Sequence, residues 1–284
     1  MTTEPDRPES NPDTLDTILF IHGLWMTPRS WENWSTRYES RGYRVLAPAW
    51  PGLEAEVEEL NRDPSPLASL DLDQVIAHYE KILGDLERPP VIIGHSLGGT
   101  ITQVLLDRGY GATGVGVASA TVKGVRDLPW STIKSSFSAL NPLKKGQAVP
   151  LTEKEFHYAF GNTMNLDEST ELYRRYHVPA ATQVLRDVAF SNLHRHPTAA
   201  VDFHREGRTP LLLIAFEHDH VVPPKAIRHN EAKYDDTVSI TEYKEFAGRP
   251  HFPGAPGWEE VADFALTWAM EHATQTVADH PAHD

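Results

Sequence analysis

An α/β fold, a doubly wound and mostly parallel sheet with an inserted helical cap, is predicted by three features of this 284-residue chain. Continuous apolar runs at residues 17–21, 91–93 and 211–216 alternate with segments of helical periodicity. Such runs suit strands covered by helices on both faces. One of them, Pro90-Val91-Ile92-Ile93, leads into Gly94-His95-Ser96-Leu97-Gly98 and then a helical stretch. That is a strand, a tight turn carrying a serine, and a helix. Finally, the strand rhythm stops between residues 121 and 205 while helical stretches continue, so a cap interrupts the sheet there.

In chain order, residues 1–13 are rich in Pro, Asp, Glu, Ser and Asn and are expected to be disordered. A buried strand over 17–21 breaks at His22-Gly23. A helix is predicted over 30–41, with Trp31 and Trp34 on one side and Gly42 ending it. A strand at 43–47 is closed by Pro48, Pro51 and Gly52. Helical periodicity covers 72–86, a strand covers 91–93, and the helix after the serine covers 97–108. A short strand softened by glycine follows at 114–118. Within 121–205 no strand-like run is evident. Helices are predicted at 152–160, 169–176 and 182–192, punctuated by prolines at 129, 142, 150, 179 and 197. A strong buried strand at 211–216 and a more polar strand at 238–243 complete the sheet, the latter nearer an edge. An amphipathic helix over 258–272 closes the core. The domain expectation is a core of 14–120 and 206–275, a cap of 121–205, and a flexible tail over 276–284.

Composition narrows the function classes. Hydrophobic residues make up 40% of the chain, enough for a sizeable core. The formal net charge of −14 argues against nucleic acid and anionic membranes as partners. There is no cysteine, which excludes thiol catalysis, disulfides and thiolate metal sites. The first residues carry no apolar signal core and no apolar stretch reaches spanning length, so a cytoplasmic location is expected. A small-molecule substrate is the expected partner.

The chemistry starts from Ser96. The two glycines of the turn allow a backbone path that side chains would obstruct, and the serine is presented at the strand's C-terminal end. A serine hydroxyl needs a base, and the base needs a partner that fixes its tautomer. In sheet enzymes with this turn the order is Ser, then Asp or Glu, then His. The acid search falls on Glu217-His218-Asp219-His220-Val221-Val222-Pro223, directly after the strand at 211–216. Asp219 is favoured, because it lies further past the strand and just before the turn into the next helix. The segment after 114–118 offers no carboxylate until Asp127. His251, in Ala247-Gly248-Arg249-Pro250-His251-Phe252-Pro253, sits in a loop able to swing back over the sheet edge. The amide of Leu97 opens the helix after Ser96. That of Leu24, in the loop after the first strand, is the second candidate oxyanion donor. His22 and His95 read as buried supports. His218 and His220 flank the acid, but no third metal ligand is evident, so neither metal nor cofactor is expected. Trp25, Tyr158 and Phe160 are candidates for binding substrate. The spacing of Tyr158, Phe160, Tyr173, Tyr176 and His177 fits an acyl pocket and cap-to-core packing equally well.

Taken together, His22-Gly23-Leu24, Gly94-His95-Ser96-Leu97-Gly98-Gly99, the segment from Glu217 to Pro223 and Gly248-Arg249-Pro250-His251-Phe252 resemble α/β-hydrolase-fold enzymes with a helical cap. The loop from His22 to Trp31 is similar to that of the cofactor-free haloperoxidase and esterase branch. The resemblance spans residues 14–273 and implies a Ser-His-Asp triad with a two-amide oxyanion hole. Ser96 stands where dehalogenases and epoxide hydrolases of this fold carry aspartate. Glu217-His218 replaces the commoner glycine-containing approach to the acid, which keeps Glu217 as an alternative to Asp219. The expected activity is hydrolysis of a small or medium carboxylic ester or lactone. C–C hydrolysis, perhydrolysis and a ligand-sensing role reuse the same residues.

Overall fold

A computed structural model describes residues 15–125, 141–195 and 197–279 of the chain. The elements are β1 (Thr17–Ile21), α1 (Glu32–Glu39), β2 (Arg44–Leu46), α2 (Val57–Arg62), α3 (Leu72–Gly84), β3 (Val91–His95), α4 (Leu97–Asp107) and β4 (Thr113–Val117). An insertion follows, with β5 (Ala148–Val149), α5 (Glu153–Phe160), α6 (Leu166–Tyr176), β6 (Ala180–Ala181) and α7 (Thr182–Ala189). The core resumes with β7 (Leu211–Phe216), α8 (Pro224–Glu231), β8 (Thr241–Phe246) and α9 (Trp258–Asp279).

The sheet has the order β2-β1-β3-β4-β7-β8, and every neighbouring pair is parallel. All strands therefore end at one edge, where loops from β1, β3, β7 and β8 meet. The four central strands are buried along their whole length, as unbroken apolar runs require. On one face Phe20, Trp31, Trp34 and Tyr38 pack with α9; on the other, α4 and α3 cover the sheet. Among the described residues, no helix is long and apolar enough to cross a membrane.

Several expectations change. The helix predicted over 30–41 starts as a 3₁₀ turn, Pro28–Trp31, capped by the Thr27 hydroxyl, before α1 begins at Glu32. The insertion is not strand-free: β5 and β6 pair antiparallel, Ala148 opposite Ala181 and Val149 opposite Ala180. Two-residue strands are too short to leave a periodicity. The last strand is Thr241–Phe246 rather than 238–243, because its register against β7 runs from Leu211–Thr241 to Phe216–Phe246. Thr241 and Phe246 are the buried ends of that edge strand. Helix α9 continues past 272 to Asp279, since no glycine or proline interrupts it before Pro281. The tail expected over 1–13 and the insertion residues 126–140 lie outside the described residues.

The insertion's helices are locally encoded. Thr152 with Glu155 and Asn165 with Glu168 each form a reciprocal capping box, closing the first turns of α5 and α6. Helix α7 packs on α3 of the core, and its Asp187 accepts the Leu72 N–H at 3.1 Å.

Candidate active site

Ser96 occupies the turn between β3 and α4 with φ 54° and ψ −118°. A non-glycine residue in this region costs on the order of 1–3 kcal/mol and persists only where surroundings impose it. Three backbone hydrogen bonds do so. Ser96 N–H donates to Val117 O at 2.9 Å, and Ser96 O accepts from the N–H groups of Gly99 and Ala120, each at 2.9 Å. A Cβ at Gly94 would strike the carbonyl of Gly98, and one at Gly98 would strike the carbonyl of Ile21. Both glycines are therefore demanded by the close passage of backbone on either side of the serine. Ser96 is 8% exposed.

His251 and Asp219 come from the loops after β8 and β7. Asp219 Oδ2 lies 2.6 Å from His251 Nδ1, and both side chains are fully buried. The other carboxylate oxygen, Oδ1, accepts the N–H groups of Val221 at 2.7 Å and Val222 at 2.8 Å. These bonds fix the carboxylate plane so that Oδ2 faces the imidazole. Glu217 is elsewhere: its side chain is 49% exposed and accepts the Gly248 N–H at 2.8 Å, closing the loop after β8. His251 Nε2 is buried and has no hydrogen-bond partner among the described residues. Behind His251, the His95 Nε2–H donates to the His251 carbonyl at 2.9 Å, with ring centroids 4.7 Å apart. Burial, reinforced by His251, pushes the His95 pKa well below its usual value and keeps the ring neutral.

The loop after β1 closes the site from the other side. His22 Nδ1–H donates to Gly23 O at 3.0 Å, while Nε2 accepts the Trp50 N–H at 3.3 Å. Its ring stacks on Trp50, and burial lowers its pKa to about 4. A neutral His22 using both nitrogens ties the loop down. Gly23 is pressed against the serine, since a Cβ there would sit 2.9 Å from Ser96 Cβ. Leu24 follows Gly23 and Leu97 follows Ser96, so both backbone N–H groups adjoin this contact. Leu97 is also the first residue of α4, where N–H groups lack helical partners.

Trp25 takes a left-handed backbone, φ 62°. Its indole N–H donates to Val149 O at 3.1 Å, and its carbonyl accepts the Val178 N–H at 3.0 Å. Trp25 is thus bonded to the insertion at β5 and two residues before β6. Phe160 lies between Trp25, 6.4 Å away by ring centroid, and His251, 5.0 Å away. Tyr158 instead packs against His220 with the two rings tilted by 32°, and the His220 Nδ1–H donates to the Tyr158 carbonyl at 3.0 Å. Beside it, Asn162 Nδ2 donates to His218 O at 2.9 Å, so the end of α5 rests on the Asp219 loop. His218 and His220 belong to no group of three metal-ligating side chains among the described residues. Tyr173 and His177 stack on each other and pack against Phe156 inside the insertion. Tyr176 packs on Phe252.

A small cleft opens beside Gly23, walled by residues 23–26, Trp50, Leu53 and 178–181. Sequence reasoning did not single out Trp50, Leu53 or Val178-Pro179-Ala180-Ala181. They come from loops far apart in the chain, and no periodicity links them. Asn162 was missed for the same reason.

Residues 18–264 match the family described as the alpha/beta hydrolase family. The chain belongs to the alpha/beta hydrolase family. Three solved structures place this family member among similar folds. A monoacylglycerol lipase from Paleococcus ferrophilus is 18% identical, with 90% of this chain and 94% of that one covered and a TM-score of 0.63. A pyrethroid hydrolase from Sphingobium faniae JZ-2 is 19% identical over 90% and 98%, at 0.65. A methylesterase from Arabidopsis is 13% identical over 89% and 98%, at 0.62. At these identities the likeness is one of fold. No curated protein matches the sequence.

Proposed function

We propose that this hydrolase-family protein cleaves a small or medium carboxylic ester or lactone through an acyl-enzyme on Ser96. His251 takes the Ser96 proton as the hydroxyl attacks the carbonyl. Asp219 holds the imidazole by Nδ1, leaving Nε2 to face the serine and later the leaving group. The N–H groups of Leu24 and Leu97 hold the tetrahedral oxyanion, each such donor being worth about 3–4 kcal/mol in the transition state. His251, now protonated, donates to the leaving oxygen, and water then releases the acid by the reverse sequence. The insertion serves as a cap that excludes bulk water, and no resident cofactor is needed for these steps.

The observation that carries this reading is the buried Asp219–His251 pair at 2.6 Å. It sits at the same sheet edge as the strained Ser96, and its remaining nitrogen has no partner among the described residues. The solved structures named as a lipase, a pyrethroid hydrolase and a methylesterase support a hydrolytic reaction on an ester. A fluorophosphonate probe tests it. Wild-type protein should label at Ser96 and Ser96→Ala should not, with turnover of p-nitrophenyl esters reduced on the order of 10⁴–10⁶-fold. Undiminished labelling of the variant would remove Ser96 from the reaction.

A further inference from the structure

We propose that His95 is a positioning residue for the reaction, its ring holding the backbone of His251 so that Nε2 meets the Ser96 hydroxyl; this rests on the Ser96–His251–Asp219 reading above. A general base must keep its reactive nitrogen within hydrogen-bond reach of the proton it takes and later returns. Asp219 fixes the imidazole at one atom, Nδ1. A ring held at one atom still swings if its own backbone shifts. The loop carrying His251 is fastened at several points. Gly248 N–H donates to Glu217, His218 N–H to the Arg249 carbonyl at 3.0 Å, and the Trp34 indole to the Pro253 carbonyl at 3.0 Å. None of these bonds acts on residue 251. The bond from His95 Nε2–H to the His251 carbonyl, at 2.9 Å, does.

His95 is well placed to transmit rigidity. It is the last residue of β3, a central strand paired with β1 and β4, and it directly precedes Ser96. The peptide of the base is thereby tied to the strand that presents the nucleophile. The other ring nitrogen, Nδ1, faces the loop after β1: a Cβ on Gly23 would come within 3.2 Å of it and within 2.9 Å of Ser96 Cβ. One ring therefore borders the nucleophile, the base and the loop of the Leu24 N–H. Trp31 packs edge-on against it, with centroids 6.2 Å apart. His95 Nδ1 is buried and has no hydrogen-bond partner among the described residues. An unpaired buried nitrogen is costly, so an apolar side chain would fill this space better if packing were its whole role. A neutral ring also suits the place, since a second positive charge would oppose the one His251 gains from Ser96.

The test contrasts His95→Gln with His95→Met on p-nitrophenyl butyrate. The Gln amide nitrogen lies as many bonds from the backbone as His Nε2, and Met has the same length without the donor. End-point fluorophosphonate labelling at Ser96 counts competent sites, so misfolded protein drops out of kcat. Per labelled site, kcat of His95→Met should fall at least about tenfold, a displacement of 1 Å being worth about 10²-fold. KM should stay within about twofold, and the labelling rate should fall with kcat, because both need His251. His95→Gln should be at least about fivefold faster than His95→Met. A smaller fall in His95→Met, a loss carried by KM, or a Gln variant no better than Met overturns the assignment. His95→Leu replaces His95→Met in the same contrast if the latter does not fold. A wild type that does not label at Ser96 overturns the underlying reading as well, so the two failures are told apart.

Discussion

At the scale of single residues, the choice between Glu217 and Asp219 turns on two residues of separation along one loop. Both follow β7, and both are carboxylates, so position alone leaves them comparable. What separates them is the carboxylate's second oxygen. Asp219 Oδ1 is held by two backbone N–H groups, which leaves Oδ2 aimed at His251. Glu217 uses its charge at the surface to close a turn on Gly248. Asp219→Asn should therefore cost about 10⁴ in kcat, because an amide there favours the wrong imidazole tautomer. Glu217→Gln keeps an acceptor for Gly248 and should cost less than about tenfold. Steady-state kinetics of the two variants on one ester decide the matter, and the reverse ranking would transfer the acid role to Glu217. Ser96, Asp219 and His251 were readable as candidates because each follows a recognisable strand in a loop of distinctive composition. The contribution of His95 was readable only as burial. Its bond to the His251 carbonyl joins residues 156 positions apart, and nothing in local sequence marks such a pairing.

At the scale of elements, the predictions succeed where a segment is long and its ends are chemically marked. β1 and β7 have the predicted bounds because unbroken apolar runs meet His-Gly and Glu-His at their ends. α5 begins within one residue of expectation, since a capping box fixes it. The failures are short or externally registered. α2 is six residues long with only Val57 and Leu60 buried, β5 and β6 have two residues each, and β8 takes its bounds from β7. How the insertion is fastened was also invisible. Glu32 of α1 accepts a bidentate pair from Arg175, at 2.8 and 2.7 Å, and the Tyr176 hydroxyl at the end of α6. Tyr176 in turn packs on Phe252, the neighbour of His251. Hydrogen bonds from the Arg175 and Tyr176 side chains lower the Glu32 pKa against the opposing effect of burial. These partners are partly exposed, so the fastening is worth only about 0.5–1 kcal/mol. Glu32→Gln should raise KM about two- to fivefold with kcat within about twofold, and added salt should do the same to wild type. Insensitivity of KM to both would mean that α6 is held by packing alone.

At the scale of the whole molecule, three histidines are sealed in the fold as neutral groups, which ties stability to mild acid. Burial lowers the pKa of His22 and of His177 from the ordinary 6.5 to about 4, and pushes His95 well below its ordinary value. His22 and His177 each have a nitrogen accepting a backbone N–H, from Trp50 and Leu151 respectively. Protonation would turn those acceptors into donors facing donors. In the unfolded chain the same rings take a proton as the pH falls through about 6.5, whereas the folded rings resist until about 4. The unfolded state therefore binds more protons throughout that window, and stability falls with falling pH. Above pH 6.5 the contribution is fully present. At pH 5 the loss is about 2 kcal/mol for each of His22 and His177. Surface carboxylates act in a different range: Asp263, held low by its hydrogen bonds to Arg37, gives up stability only below its ordinary 3.8. Urea midpoints measured at pH 7, 6 and 5 should decline together with the thermal midpoint. His177→Gln should start less stable at pH 7, because Leu151 loses a well-placed acceptor, yet decline less steeply between pH 7 and 5. A wild-type midpoint that stays level from pH 7 to 5 would show that these histidines gain compensating contacts when charged, and that the neutral buried rings do not govern the acid limit of the fold.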